Sequence, residues 1–316
     1  MKNKLFFTLM LVLGMVSCGN ESSSKGPAGK PEIPTVETSA KQLILTEQAS
    51  NTVCIYDQPT RLLLWQWTPS QDGLSESRAK WFNLPDEAKP VYNKSCLLIT
   101  ASNGGCALVR IKDKKVLFYA KPGGNPHSAE VLPDNNIVCA SSEGYMTLWK
   151  CDTLKQYASE YVQKIDFKGV HNAVWDYKRN CLWCAGDEEM RSYRYEDGQL
   201  VLDKSFALPS VLGHDLMPVY GEDRLLLTVW ANVYYFNPSD CSFEIAPAFL
   251  QKNVKSVCTG EPGQTAIYTT PVESWWTNEV LELSTGNRLF FVDGLHIYKA
   301  RWRAENPFSY PANHTL

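Results

Sequence analysis

Long apolar runs are scarce in this sequence. The N-terminal one, Leu5 to Val16, is too short for a permanent membrane-spanning helix. Basic charge is not in excess either. The 31 Lys and Arg stand against 34 Asp and Glu, a formal net charge of −3, so the chain lacks the basic stripe that nucleic-acid binding requires. Charged residues are only 21% of the 316 positions while hydrophobic residues are 44%, which excludes wholesale disorder. Helix-period patterning is nearly missing. There is no G-x-S-x-G elbow, no phosphate-cradling Gly-rich loop, no H-E-x-x-H and no calcium loop. Histidine is rare, five in the whole chain, and that scarcity makes its placement informative.

What is abundant is aromatic: 12% of residues, with ten Trp and fifteen Tyr, a composition suited to strands and to carbohydrate-facing surfaces. At the N-terminus two lysines precede the apolar run, which ends in "MVSC". This resembles the lipobox of bacterial lipoproteins and implies removal of residues 1–17 and lipidation of Cys18. No aspartate follows the cysteine, so the resemblance implies the outer membrane, with the lipid as the only membrane contact. Residues 18–41, rich in Ser, Gly and Pro, read as a tether, residues 42–305 as the folded body and 306–316 as a C-terminal tail. A monomer is expected. Nine cysteines remain beyond Cys18, and their strand-like settings suggest buried small hydrophobes. Cys181 and Cys184 form a C-x-x-C within a strand pattern. Residues three apart on a strand face opposite ways, which argues against a redox or zinc pair.

The body repeats. "HSAEVLPDNNIVCASSEGYMTLWKCDTL", "HNAVWDYKRNCLWCAGDEEMRSYRYEDGQL" and "HDLMPVYGEDRLLLTVWANVYYFNPSDCSF" each run from a histidine through three strands to a fourth. Their histidines, His127, His171 and His214, are 44 and 43 residues apart, and His296 follows 82 residues later. Units without histidine begin near Glu87 and near Asn253 and Lys255. The chain starts with three strands lacking a first and ends with a lone strand, "HIYKARWRAE". Joined, they complete one unit. The reading is an all-β, six-bladed β-propeller of four-stranded antiparallel blades, closed when the C-terminal strand completes the first blade.

Four histidines at equivalent starts of innermost strands have two readings. In WD-type propellers, which Gly213-His214 resembles, the imidazole joins a network inside its own blade. Here His127 precedes Pro133-Asp134 by six residues, about half the WD-type offset, which favours a shared ring at the mouth of the central channel. Such a ring suits a divalent ion (Mn, Zn or Fe), an anionic ligand, or acid–base catalysis. The same face collects Asp187, Glu188, Glu189 and Arg191 in one loop, Trp230 and Asn232 in the next, and Glu273, Trp275 and Trp276 in the longest. Tryptophan beside carboxylate is a sugar-binding arrangement. Lys255 and Arg301 are candidate partners for substrate charge.

The body as a whole resembles uncharacterised six-bladed propeller lipoproteins of Gram-negative bacteria. The opening "HSAEVLPDNN" is similar to a strand motif of propeller arylsulfotransferases, and the histidine ring to the metal site of oligogalacturonate lyases. These resemblances imply a cell-envelope protein acting on an acidic or oxidised sugar, with His171 and His214 as candidate base and ligand and His127 and His296 as further metal ligands. Trp230, Trp275, Trp276, Glu273, Asp187, Arg191 and Lys255 would contact substrate. A non-catalytic glycan-binding or protein-interaction propeller is the alternative reading, and a redox or sulfotransfer enzyme the third.

Overall fold

The structure, a computed structural model, describes residues 40–316. The signal segment 1–17, Cys18 and nearly all of the 18–41 tether lie outside the described residues. The expected propeller is present: six sheets, each with four antiparallel strands laid from the axis outward.

Blade 1 is the composite one. The C-terminal strand Ile297–Trp302 lies innermost and pairs with Gln42–Glu47, followed by Thr52–Asp57 and Leu63–Trp67. The innermost strands of blades 2 to 6 are Pro85–Val91, Pro126–Val131, Val174–Asp176, Asp215–Pro218 and Ser256–Cys258. Blade 2 carries an addition that the repeat did not show. Tyr157–Ala158, from the long connection inside blade 3, runs parallel to the outer strand Val116–Ala120 and covers its edge. Among the described residues the helical content is one short helix, Glu76–Ala79, and a 3-10 turn, Lys80–Phe82, between blades 1 and 2. Among the described residues no helix is long and apolar enough to cross a membrane.

Each blade is sandwiched between two others, so an inner strand is buried on both faces and reads as a near-continuous apolar run. Outer strands are not: Gln199–Ala207 of blade 4 is mostly exposed. Six apolar clusters result, one between each pair of neighbouring blades. The cluster joining blades 6 and 1 holds Ile267, Val280 and Phe290 against Leu43, Leu45 and Trp302. Ring closure is therefore made by packing as well as by strand pairing. All nine described cysteines are free. Cys181 and Cys184 enter different clusters, on opposite faces of their strand.

The C-terminal residues cross the far end of the axis. Phe308 O accepts from Tyr177 N–H of blade 4 at 3.2 Å, Ala312 O accepts from Asn93 of blade 2, and His314 stacks on Tyr92 and Tyr310 at 4.7 Å. The Tyr310 hydroxyl donates to the buried carboxylate of Glu130 in blade 3. The tail thus straps three blades together.

Candidate functional site

The inner strands begin in one register. Each opens with a site residue, then a polar residue, then an apolar one: Asp86-Glu87-Ala88, His127-Ser128-Ala129, His171-Asn172-Ala173, His214-Asp215-Leu216, Lys255-Ser256-Val257 and Tyr298-Lys299-Ala300. The middle residues pair alike, Glu87 with Thr100, Asp215 with Thr228 and Ser256 with Thr269, while Lys299 N–H donates to Thr46 Oγ1. In blades 1, 2 and 3 the inner strand carries one extra residue at this point, between Ile297 and Ala300, at Asp86 and at His127. A β-bulge re-aims a side chain, and here it turns Asp86 and His127 toward the axis mouth.

The first layer of this register forms the site. His127, His171 and His214 come together with Tyr298. Ring centroids lie 4.7 Å apart for His127–His171, 5.1 Å for His171–His214, 6.1 Å for His127–His214 and 5.6 Å for His127–Tyr298. They border a cavity of about 280 Å³ whose other walls include Leu212, Val229, Trp230, Val254 and Lys255. Among the described residues no Asp or Glu lines it. Three of the four repeat-start histidines thus border one cavity.

Hydrogen bonds assign the tautomers. His171 Nδ1 lies 2.6 Å from Gly169 O and His214 Nδ1 lies 3.1 Å from Lys255 O. A carbonyl only accepts, so both rings carry the proton on Nδ1 and leave Nε2 a lone pair. Gly169 has φ +64, a left-handed conformation that glycine adopts without strain, and this turns its carbonyl toward the ring. The Tyr298 hydroxyl donates to His214 Nε2 at 3.0 Å. Burial, with help from His127 and from the charges of Lys299 and Lys255, lowers His171 to about 3 despite the Gly169 bond. Burial, then His171, Lys255 and Lys299, holds His214 well below the usual range. Both are neutral near pH 7. Burial, followed by the charges of Asp86, Asp215 and Glu87, holds the Tyr298 phenol well above its ordinary value. Lys255 is lowered by burial and then by Lys299.

Beneath this layer the channel is filled by ions. Arg301 donates to Glu87 Oε1 and Oε2 at 3.0 and 2.7 Å and to Asp215 Oδ2 and Oδ1 at 2.9 and 2.7 Å. Lys299 Nζ lies 3.2 Å from Glu87 and 3.3 Å from Asp215, and donates to His127 O. Lys89 pairs with Glu130 at 3.0 Å. Arg301 is therefore committed to carboxylates of the chain and is closed to substrate, a correction to its sequence reading.

His296 also needs correcting. Its ring stacks on Trp276 at 3.6 Å and 8°, outside the three-histidine group. It precedes the innermost strand, and Tyr298 takes the place expected of it. That contact covers one face of Trp276. Trp275, half exposed, donates its indole N–H to Gln48 Oε1. Glu273 is exposed in the turn that it closes with Trp276. Asp187 sits near Lys168, and Arg191 pairs with Glu189 and lies over Phe167. None of these five lines the cavity; Trp230 and Lys255 do. Tyr298 and Asp86 were missed, although the register of "YKA" against "HSA", "HNA" and "DEA" would have found them. The four-histidine metal set does not form. His127 and His171 are nearly parallel, 18° between planes, so their in-plane lone pairs run side by side and do not meet at one ion. Among the described residues no group of three His, Cys, Asp or Glu is placed to hold a metal.

Fold and site together define a six-bladed propeller with an imidazole-lined cavity over an ion-filled axis. The whole chain, residues 1–316, matches the model of a family of unknown function (DUF6528), and the protein belongs to that family. No curated protein matches. Among solved structures, a protein of unknown function from Bacteroides caccae is similar with TM-score 0.57 at 13% identity, covering 84% of this chain and 99% of its own. A functionally unknown protein from Desulfotomaculum acetoxidans gives 0.53 at 12%, over 82% and 79%. The dihydro-heme d1 dehydrogenase NirN in complex with DHE gives 0.50 at 16%, over 84% and 57%. At these identities the likeness is one of fold.

Proposed function

We propose that the axial cavity binds an acidic or oxidised sugar and performs acid–base chemistry on it, an elimination of the lyase type. The carrying observation is a cavity with three imidazoles, a tyrosine and a lysine but no carboxylate. A sugar carboxylate would pair with Lys255, and hydroxyls would donate to bare imidazole nitrogens. Trp230, 44% exposed at the cavity wall, offers a flat face for a pyranose. In the reaction an imidazole Nε2 takes the proton α to the carboxylate. The electron pair left on carbon forms the double bond as the C–O bond breaks, and Nε2 returns its proton to the leaving oxygen, so the ring ends neutral. Lys255 offsets the charge that builds on the carboxylate during proton removal.

The scheme uses only the chain's own side chains. The Cys18 lipobox supports a place at the cell envelope, the body held at the outer membrane by its lipid. A non-catalytic glycan-binding role is the second reading, favoured by the exposed Trp230 beside exposed Leu212, an apolar lip that needs no chemistry. Oligogalacturonides test both. Appearance of the ultraviolet absorbance of a conjugated unsaturated uronate supports the enzyme, whereas saturable binding by calorimetry without that signal supports the binder. Neither signal would defeat the carbohydrate reading.

A further inference from the structure

We propose that His127 is the proton-transferring imidazole of this cavity and that Asp86 is the positioning residue that holds it ready. This rests on the acid–base reading above and narrows it to one nitrogen, Nε2 of His127.

The three rings are not equivalent. His214 has both nitrogens engaged, Nδ1 with Lys255 O and Nε2 with the Tyr298 hydroxyl. His171 has a free Nε2, but its Nδ1 faces only a neutral carbonyl, so an imidazolium there meets no negative charge. His127 Nδ1 lies 3.3 Å from Asp86 Oδ2. Asp86 is 1% exposed. The neighbouring axial carboxylates Glu87, Asp215 and Glu130 each pair with Lys or Arg; among the described residues Asp86 has no such partner. Its other side-chain contacts are neutral donors, Ser102 Oγ at 2.8 Å on Oδ2 and Gln48 Nε2 at 3.4 Å on Oδ1. A buried carboxylate with one basic neighbour directs its charge there.

Its aim is fixed from behind. An indole N–H can only donate, so Trp275 sets Gln48 Oε1 toward itself and Gln48 Nε2 toward Asp86. The two bulges, at Asp86 and at His127, put both side chains at the axis mouth. The Nδ1 contact is long and off line, leaving Nδ1 without a formed hydrogen bond. Such contacts in ligand-free sites tighten when the ring takes a proton. With Nδ1–H turned to Asp86, Nε2 keeps its lone pair; the Asn125 amide approaches it only at 3.4 Å, a longer and weaker contact than the 3.0 Å bond that occupies His214 Nε2. It can accept the substrate proton while Asp86 matches the charge formed, as the carboxylate of a Ser-His-Asp triad does.

The test uses the full chain labelled with 15N-histidine. Two-bond nitrogen–proton correlations should show His127 protonated on Nδ1. In Asp86→Ala it should shift to Nε2–H, the form a free imidazole prefers in water. His171 and His214, held by carbonyls, should stay Nδ1–H and so report an intact site. Wild-type His127 already Nε2–H, or unchanged by Asp86→Ala, overturns the proposal. Turnover of oligogalacturonide supplies the second arm. Asp86→Ala should lower kcat about ten-thousand-fold with little change in KM, and His127→Gln should abolish turnover while retaining galacturonate binding. A His127→Gln variant that turns over normally also overturns it. No wild-type turnover would defeat the acid–base reading and the role of His127 in it, leaving the orientation by Asp86 to be judged by the tautomer alone.

Discussion

Replacing Arg301 with methionine should be among the most destabilising single changes in this protein. The guanidinium is 1% exposed and makes four charge-assisted hydrogen bonds to Glu87 and Asp215, plus one to Val257 O. Methionine fills most of the volume but leaves two buried carboxylates sharing the Lys299 ammonium. Removing one partner of a buried ion pair costs about 3–5 kcal/mol. A second route gives a similar size. Burial opposes the Glu87 charge, yet Arg301, then Lys299 and Lys89, bring its carboxyl down from 4.5 to about 2, a preference for the charged form of roughly 3 kcal/mol. At about 2–4 °C per kcal/mol for a domain of this size, the melting temperature should drop roughly 6–20 °C at pH 7. The pH dependence follows from the sign of the shift. A carboxyl lowered in the folded state stabilises fully above its unfolded value and loses that contribution as pH falls toward about 2. In Arg301→Met the unpaired carboxyl can take a proton, so the deficit should shrink between pH 7 and pH 4. Urea denaturation at both pH values, with Glu87→Gln/Arg301→Met completing a double-mutant cycle, measures this. A variant within about 1 kcal/mol of wild type at pH 7 would refute the reasoning, since the ion cluster would then add nothing net.

Truncation after Asn306 should remove the strap across the far axis and the Tyr310 bond to Glu130, lowering stability by about 3–6 kcal/mol on loss of one large buried side chain and one charge-assisted bond. Calorimetry would show it, and an unchanged transition would mean that the tail is not part of the closure. His296→Ala should loosen the blade 6 loop by removing the stack on Trp276, yet leave galacturonate affinity within about two-fold, the stack being worth about 0.5–1.5 kcal/mol; a ten-fold loss of affinity would restore His296 to the site. If the lipobox reading holds, Cys18→Ser should move the protein from the detergent phase to the aqueous phase in a detergent partition, because it removes the lipid attachment that the reading assigns to Cys18; a wild type already in the aqueous phase would refute the lipobox reading.

The architecture was legible because blades repeat at a near-constant period and because the incomplete ends were complementary. Both are properties of chain order, visible without coordinates. The site was legible in part. Histidine marks a position when it recurs, so His127, His171 and His214 stood out. The same cue misled at His296, because the eye aligned histidine with histidine, whereas the strands align Tyr298-Lys299-Ala300 with His127-Ser128-Ala129. The ion cluster was not legible at all. Lys89, Glu130 and Arg301 follow their site residues by three positions, and whether such a residue points to the axis depends on the bulges at the strand starts. A bulge is one extra residue in a register, and only strand pairing shows it. Loop tryptophans and acids looked like a sugar surface because composition carries no direction. In the fold, Trp275 and Trp276 are spent on Gln48 and His296.

Ligand chemistry and ordinary packing make opposite demands on His171, and that opposition can be measured without any substrate. A residue present for stability alone should lower stability when replaced by leucine. A residue held neutral against its own preference should not. The folded chain keeps His171 unprotonated to about 3, whereas an unfolded chain protonates it near its ordinary value of about 6.5. Its neutral form is compatible with the fold above that value, and stability is lost as pH falls from there toward 3, by at most about 1.4 kcal/mol per pH unit. His171→Leu abolishes this loss. It also gives up the bond to Gly169 O, worth about 1 kcal/mol, and gains apolar contact of similar size against Leu212 and Val229 at the cavity wall. At pH 8 these nearly cancel, so the variant should lie within about 1 kcal/mol of wild type. At pH 4.5 it should be more stable by about 2–3 kcal/mol, while galacturonate binding is lost at both. A variant weakened by more than about 2 kcal/mol at both pH values, with the acid slope unchanged, would make His171 a packing element and remove it from the ligand-binding wall of the cavity.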